Sequence, residues 1–165
     1  MQLNFAQTNR AILALGGLLL ALSITPPATA GETVSVGLTT QGAGSNDIPI
    51  AIPLPKGDGL GTDEYYATLK RDLEISGFFK VIDPKAYVEP ASAGIHLGEF
   101  DFASWRTPGA AALAKTSLGA NGDGLRAEVW VYDVAGGTKL GAKAFSGPKT
   151  AARTLAHRTA DAIIS

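Results

Sequence analysis

The stretch from Ile48 to Ile82 constrains this chain more than any other part of it, because it reads as strand, helix, strand. Ile48-Pro-Ile-Ala-Ile-Pro-Leu54 is an apolar run of strand length, and Phe78-Phe-Lys-Val-Ile82 is a second one. Between them, Asp63 to about Ser76 carries Tyr65, Tyr66, Leu69 and Leu73 at three- and four-residue spacing, while Lys70, Arg71 and Asp72 face outward. Two strands joined through a helix need a crossover and lie parallel, which points to a sheet with helices packed against it. Thr62 is the expected N-cap, Asp63 and Glu64 suit the positive end of the helix dipole, and Gly77 closes the helix as its C′ residue. Pro49 and Pro53 lack the N–H of a central ladder position, which pushes the first strand toward a sheet edge or its ends toward loops.

The second half of the chain reads as a meander. Leu125, Ala127, Val129 and Val131 alternate with Arg126, Glu128, Trp130 and Tyr132, which predicts a strand over 125–134. A small apolar strand starts at Ala110–Lys115, and the Gly/Asn/Asp-rich residues 118–124 are expected to form the hairpin loop. Residues 133–137 turn the chain into a third strand over 139–145. After the breaker Gly147-Pro148, residues 149–164 predict a helix with Ala152, Leu155, Thr159, Ala162 and Ile163 on its apolar face. Phe102–Arg106 reads as a short helix anchored by Trp105, and 85–97 as loop with one helical turn near Pro84–Tyr87. The expected class is therefore α/β (α+β), a mixed sheet with two main helices packed on it.

Three regions divide the chain: a secretory signal over 1–30, an arm or edge strand with its loop over 31–47, and the α/β domain over 48–165. The first thirty residues contain no Asp or Glu and one basic side chain, Arg10, followed by the apolar run Ala11–Leu22. That run is shorter than the roughly 20 residues a membrane-spanning helix needs. Pro26-Pro27 and the A-x-A site Ala28-Thr29-Ala30 then predict cleavage before Gly31. With no cysteine there is no lipid attachment site and no disulfide framework, and with no Arg-Arg pair the general secretion route is expected. Stability must come from an ordinary core. Without Arg10, 13 basic residues face 15 acidic ones, so the charge is near −2 and no basic stripe exists for a phosphate backbone.

Chemistry-bearing patterns are few. The loop Gly57-Asp-Gly-Leu-Gly61 sits between a strand and a helix, where a phosphate loop would lie, but it lacks the spacing of known phosphate motifs and carries Asp58, Asp63 and Glu64 nearby. A connecting turn is the better reading. His157 has Asp161 at i+4 and shares a face with Arg153, a surface charge cluster. His96 lies near Glu99 and Asp101 in a Gly-rich loop, where solvated polarity outweighs metal binding. No nucleophile elbow and no carboxylate pair for glycoside hydrolysis is present, so no enzyme activity, catalytic residue, metal or cofactor is expected. Trp130 and Tyr132 mark either a binding surface or a core under the second helix, and the core reading is preferred because that helix needs a packing face.

Several of these segments, in order, resemble the amino-terminal domain of the TolB family, the periplasmic component of the Tol-Pal envelope system. They are Ile48–Leu54, the helix end Leu69-Lys-Arg-Asp-Leu-Glu-Ile-Ser-Gly-Phe-Phe79 with Val81-Ile-Asp-Pro84, and Phe102-Ala-Ser-Trp-Arg-Thr-Pro-Gly-Ala110. Val131-Tyr-Asp-Val134 and Ala156-His-Arg-Thr-Ala-Asp-Ala-Ile163 complete the set. The resemblance implies an anticodon-binding-like α/β domain preceding a β-propeller, with no enzyme activity. It implies that the segment after the signal, here Glu32-Thr33-Val34-Ser35-Val36, engages the periplasmic part of a TolA-like inner-membrane protein. It implies that Pal is held by the propeller, so a Pal contact is expected only if a propeller is supplied elsewhere. The roles that follow are outer-membrane integrity, envelope constriction at division and protein import. Two other readings keep a similar fold: a stand-alone periplasmic module of flagellar-assembly or wall-synthase-activator type, and a small ligand-binding domain using Gly57–Gly61.

Overall fold

The computed structural model describes residues 47–57 and 60–165; the signal, the cleavage site and the arm lie outside the described residues. Six strands and three helices follow in the order β1 (Ile48–Ala51), β2 (Lys56–Gly57), α1 (Thr62–Ile75), β3 (Phe79–Val81), α2 (Ala103–Arg106), β4 (Ala112–Asn121), β5 (Gly124–Asp133), β6 (Thr138–Pro148) and α3 (Ala152–Ile164). The main path of the sheet is β3-β1-β4-β5-β6, and β2 pairs separately with β4. β1 runs parallel to both β3 and β4, whereas β4, β5 and β6 form the antiparallel meander, so the sheet is mixed. The expected crossover is present: α1 carries the chain from β1 to its parallel neighbour β3.

β1 is an interior strand, not an edge. The chain accommodates Pro49 there because its carbonyl accepts from the Ala111 N–H at 2.9 Å, just ahead of Ala112, where the β4 ladder with β1 begins. The N and C=O of one strand residue face the same neighbour, so the missing N–H falls where no ladder partner waits. The ends behave as the prolines suggest, since residues 52–55 leave the ladder.

Three other expectations are corrected, and one at the helix end holds. The Gly57–Gly61 connecting turn begins in a strand, because Lys56 and Gly57 pair in parallel with Ser117 and Leu118. Thr62 is the first helical residue; the N-cap is Gly61, in the left-handed region at φ 69°, with no side-chain cap. Ser76 caps the other end and Gly77, at φ 72°, follows as C′. Residues 118–121 are strand, and only Gly122 and Asp123 turn the hairpin, since Asn121 already pairs with Gly124.

Helices α1 and α3 pack on the same face of the sheet. Tyr65, Leu69 and Leu73 of α1 meet Leu155, Ala156, Ala160 and Ile163 of α3 over Ile50, Ile52, Ala112, Ala114, Leu118, Leu125, Ala127, Val129 and Val131. The Tyr65 hydroxyl bonds Thr159 Oγ1 at 2.8 Å, the hydroxyl's one route to satisfaction in an apolar layer, and burial pushes its pKa up to about 12.

No long helix covers the opposite face, contrary to the expectation for Trp130 and Tyr132. The irregular segment 82–110 lies there, bringing Trp105, Phe100, Phe102 and Tyr87 against Ala51, Leu113, Tyr132 and Val134. Tyr132 is fully buried and Trp130 half-buried. α3 joins α1 instead because its own stripe of Ala152, Leu155, Ala156, Ala160 and Ile163 fits the small and branched residues of the first face.

Candidate functional site

The loop-covered face holds the most concentrated polar chemistry of the described residues. Strand alternation puts Leu113 and Lys115 of β4 on this side, opposite Tyr132 and Trp130 of β5. The Lys115 side chain is 1% exposed and pairs with the Glu89 carboxylate, itself 8% exposed, from the covering segment. Trp105 Nε1 donates to the same Glu89 oxygen at 3.2 Å. The Lys115 ammonium also stands 4.5 Å from the Phe100 ring centroid and 5.4 Å from that of Trp105. Burial lowers the Lys115 pKa, and the hydrogen bond and charge of Glu89 oppose the shift.

Further bonds fasten the same segment to the sheet. The Tyr132 hydroxyl donates to the Ile95 carbonyl at 2.5 Å, and the Tyr87 hydroxyl donates to the Ile82 carbonyl at 2.9 Å while accepting from the Ile52 N–H at 3.1 Å. Burial raises both phenols to about 12. A cleft of about 330 Å³ opens beside the cluster, lined by Pro53, Leu54 and Lys56 on one side and by Tyr87, Glu89, Pro90 and Trp105 on the other. Lys56 closes one end by donating to the Ala91 carbonyl at 2.9 Å. This arrangement clamps a loop to a sheet: the polar groups of Lys115, Glu89, Trp105, Tyr87 and Tyr132 are each held by a neighbour, and among the described residues of this face no hydroxyl or amine is set against a general base in the manner of a nucleophile. The visible signal for it was Lys115 itself, a single cation in the otherwise small, apolar strand Ala112–Thr116.

The singled-out histidines are structural in different ways. His157 does not pair with Asp161; its Nδ1 lies 2.5 Å from Asp72 Oδ2 of α1, so the contact ties α3 to α1. The i+4 reading saw only the local carboxylate, whereas the helix pairing supplies a better placed one. The His96 ring stacks on Trp130, with centroids 4.7 Å apart, and the backbone N–H of His96 donates to Glu99 Oε2 at 2.9 Å, which lowers the Glu99 pKa. Asp101 accepts from the Ala103 N–H at 2.9 Å, at the start of α2. No group of three or more metal-ligating side chains occurs among the described residues.

Of the Gly57–Gly61 loop between β2 and α1, Asp58 and Gly59 fall outside the described residues. Gly57 has φ 147°, and a Cβ there would lie 1.8 Å from the Leu118 carbonyl oxygen. A Cβ at Gly61 would meet the Ala152 Cβ at 2.7 Å. These contacts give the glycines a packing reason that needs no phosphate.

The expected partner segment Glu32–Val36 and the cleavage residues Ala28, Ala30 and Gly31 lie outside the described residues. The chain enters the sheet at Ile48, whose N–H donates to the Phe78 carbonyl at 2.8 Å. Beside that entry stand Ile75 and Phe78, 70% and 56% exposed. No described helix is long and apolar enough to cross a membrane.

Comparison with known proteins agrees with this architecture. The family described as TolB amino-terminal domain matches residues 36–140. Among curated relatives, the Tol-Pal system protein TolB of Geobacter sulfurreducens is 32% identical over 151 residues, 88% of this chain and 34% of the relative. That of Anaeromyxobacter dehalogenans is 32% identical over 160 residues, 95% and 36%. That of Dechloromonas aromatica is 34% identical over 145 residues, 87% and 32%. The chain thus spans about a third of the length of these relatives. Among solved structures, TolB from Acinetobacter baumannii superposes with a TM-score of 0.55 at 24% identity, over 71% of this chain and 27% of that one. The LpoB C-terminal domain from Salmonella enterica gives 0.53 at 13% identity, over 64% and 86%; both likenesses concern the fold. With a strand-helix-strand unit, a meander and a closing helix in the order the sequence segments require, the chain belongs to the TolB family through its amino-terminal domain.

Proposed function

We infer that this protein is a non-enzymatic, periplasmic member of the Tol-Pal system that works through protein-protein contacts. The observation that carries the reading is the family match over residues 36–140 together with relatives of 32–34% identity whose name is Tol-Pal system protein TolB. The side-chain chemistry supports it: Lys115 is engaged by Glu89, His157 by Asp72 and His96 by Trp130. Export by the general secretion route, cleavage at Ala28-Thr29-Ala30 and a new amino terminus at Gly31 bring the protein to the periplasm in this reading. The freed segment Glu32–Val36 then meets a TolA-like inner-membrane protein, and a Pal contact depends on a propeller. Coupling of this kind serves outer-membrane integrity, constriction at division and protein import.

A pull-down of the processed protein with the carboxy-terminal domain of TolA tests the partner. Retention of that domain is the expected result, and no retention at high micromolar concentration with the arm intact would sink the TolA contact. Mass spectrometry of the exported protein checks the new terminus: a start at Gly31 is expected, and a start beyond Ser35 would break the link between export and binding.

A further inference from the structure

β6 is one end strand of the sheet and its longest, eleven residues from Thr138 to Pro148, and among the described residues it pairs on one side only, with β5. No backbone bond outside the sheet ladder reaches residues 138–147 among the described residues. A free edge of this length is a ready template for another extended chain, which natural sheets usually blunt with lysine, proline or a bulge. β6 carries two lysines and no acid, and its one irregularity, opposite Val131/Tyr132, leaves residues 141–148 in continuous register with β5.

The side chains flanking this edge are arranged unequally. Pairing with Val129 and Ala127 places Lys143 and Phe145 on the helix side of the sheet. There they line a groove of about 330 Å³ with Arg158, Asp161, Ala162 and Ser165 of the α3 end. The Arg158 guanidinium lies 4.6 Å from the Phe145 ring centroid, and neither it nor Lys143 has a carboxylate partner among the described residues. Asp161 is the one acid of the groove. On the other side of the sheet Lys139 stands 5.2 Å from the Trp130 ring centroid. The edge is therefore apolar at its floor and cationic at its rim.

We propose that β6 is a docking edge for an extended, acidic segment of a partner protein, which adds a strand to the sheet and sets its carboxylates against Lys143 and Arg158. Backbone bonding along the edge supplies the affinity, while the two cations on the helix side select carboxylates at every second residue of the added strand. A second copy of this chain fits less well. Lys143 is the middle residue of β6, so antiparallel self-pairing centred on the strand opposes Lys143 to Lys143, and like charges directly opposite repel. The proposal does not rest on the Glu32–Val36 contact.

The test follows backbone amide exchange by NMR in the processed protein while a capped peptide of alternating valine and glutamate is added, against a valine-lysine peptide of the same length. The glutamate peptide is expected to protect β6 amides, and the lysine peptide to bind about fivefold more weakly, the effect of one or two partly exposed ion pairs. Lys143→Glu and, separately, Arg158→Glu are expected to abolish that preference while leaving the thermal midpoint within a few degrees. Equal binding of the two peptides would overturn the proposal. So would no protection of β6 at about 1 mM peptide, the concentration at which even weak strand addition registers. Protection of β6 by self-association without peptide would overturn it too, in favour of a dimer edge.

Discussion

The two faces of the sheet are filled by opposite means. On the helix face, α1 and α3 bury Tyr65, Leu69, Leu73, Leu155 and Ile163 over aliphatic strand residues, with one hydroxyl pair, Tyr65–Thr159, as the main polar contact. On the other face a segment with little regular structure is held by Lys115–Glu89, by Trp105 to Glu89 and by Tyr132 to the Ile95 carbonyl. Repeating helical stripes can satisfy their own backbone and need only apolar area to stick. An irregular cover leaves backbone groups to be bonded one at a time, so it brings side-chain hydrogen bonds and a buried charge pair with it. Stability on the first face is spread over many contacts; on the second it is concentrated in a few.

Substitutions can break that contrast. The largest effect is expected for Glu89→Leu, which strands the Lys115 ammonium in a nearly dry site and should lower unfolding free energy by about 3–5 kcal/mol in urea melts. Adding Lys115→Met should recover most of the loss, since replacing both charges by apolar groups is often neutral. If the double variant were as unstable as the single one, concentration of stability in the pair would be wrong. Leu155→Ala on the helix face should cost about 3 kcal/mol with no single partner able to rescue it. Gly57→Ala forces a Cβ against the Leu118 carbonyl at an unfavourable φ and should cost about 1–3 kcal/mol, read from the same melts.

Alkaline unfolding compares the faces directly. Tyr65, Tyr87 and Tyr132 have pKa values raised from 10.0 to about 12 in the folded protein. Between these values the unfolded chain gives up protons that the native state keeps, so their contribution is complete below pH 10 and falls as pH rises toward 12. Tyr87→Phe with Tyr132→Phe should flatten that fall more than Tyr65→Phe, because two of the three phenols serve the loop-covered face. The smallest effect is expected at the exposed end of the helix pair: His157→Ala should cost below about 1 kcal/mol and less still in high salt.

Regular periodicity made much of this fold legible. The alternation of Leu125 to Val131 and the stripe of Tyr65, Leu69 and Leu73 appear in the structure as the buried sides of β5 and α1. What escaped depends on partners distant in sequence. Residues 118–121 have loop composition, yet the facing strand from Gly124 to Ala127 gives each a ladder partner. Pro49 argued for an edge until the point where β4 begins made its missing N–H harmless. His157 displayed Asp161 as a neighbour, and only the docking of α3 on α1 brought Asp72 to it. The loop-covered face carries no period at all, so Lys115 was visible as an anomaly but its partner Glu89, twenty-six residues earlier, was not.

Among the described residues, helices pack on one broad face of the sheet and the 82–110 segment on the other, and the sheet ends at β3 and β6. The most direct measurement of the functional account is a calorimetric titration of the TolA carboxy-terminal domain into the processed protein and into a variant beginning at Gly37. The account predicts saturable binding to the first and none to the second, with identical circular dichroism for both. Equal binding by the two, or none by either at high micromolar concentration, would contradict it.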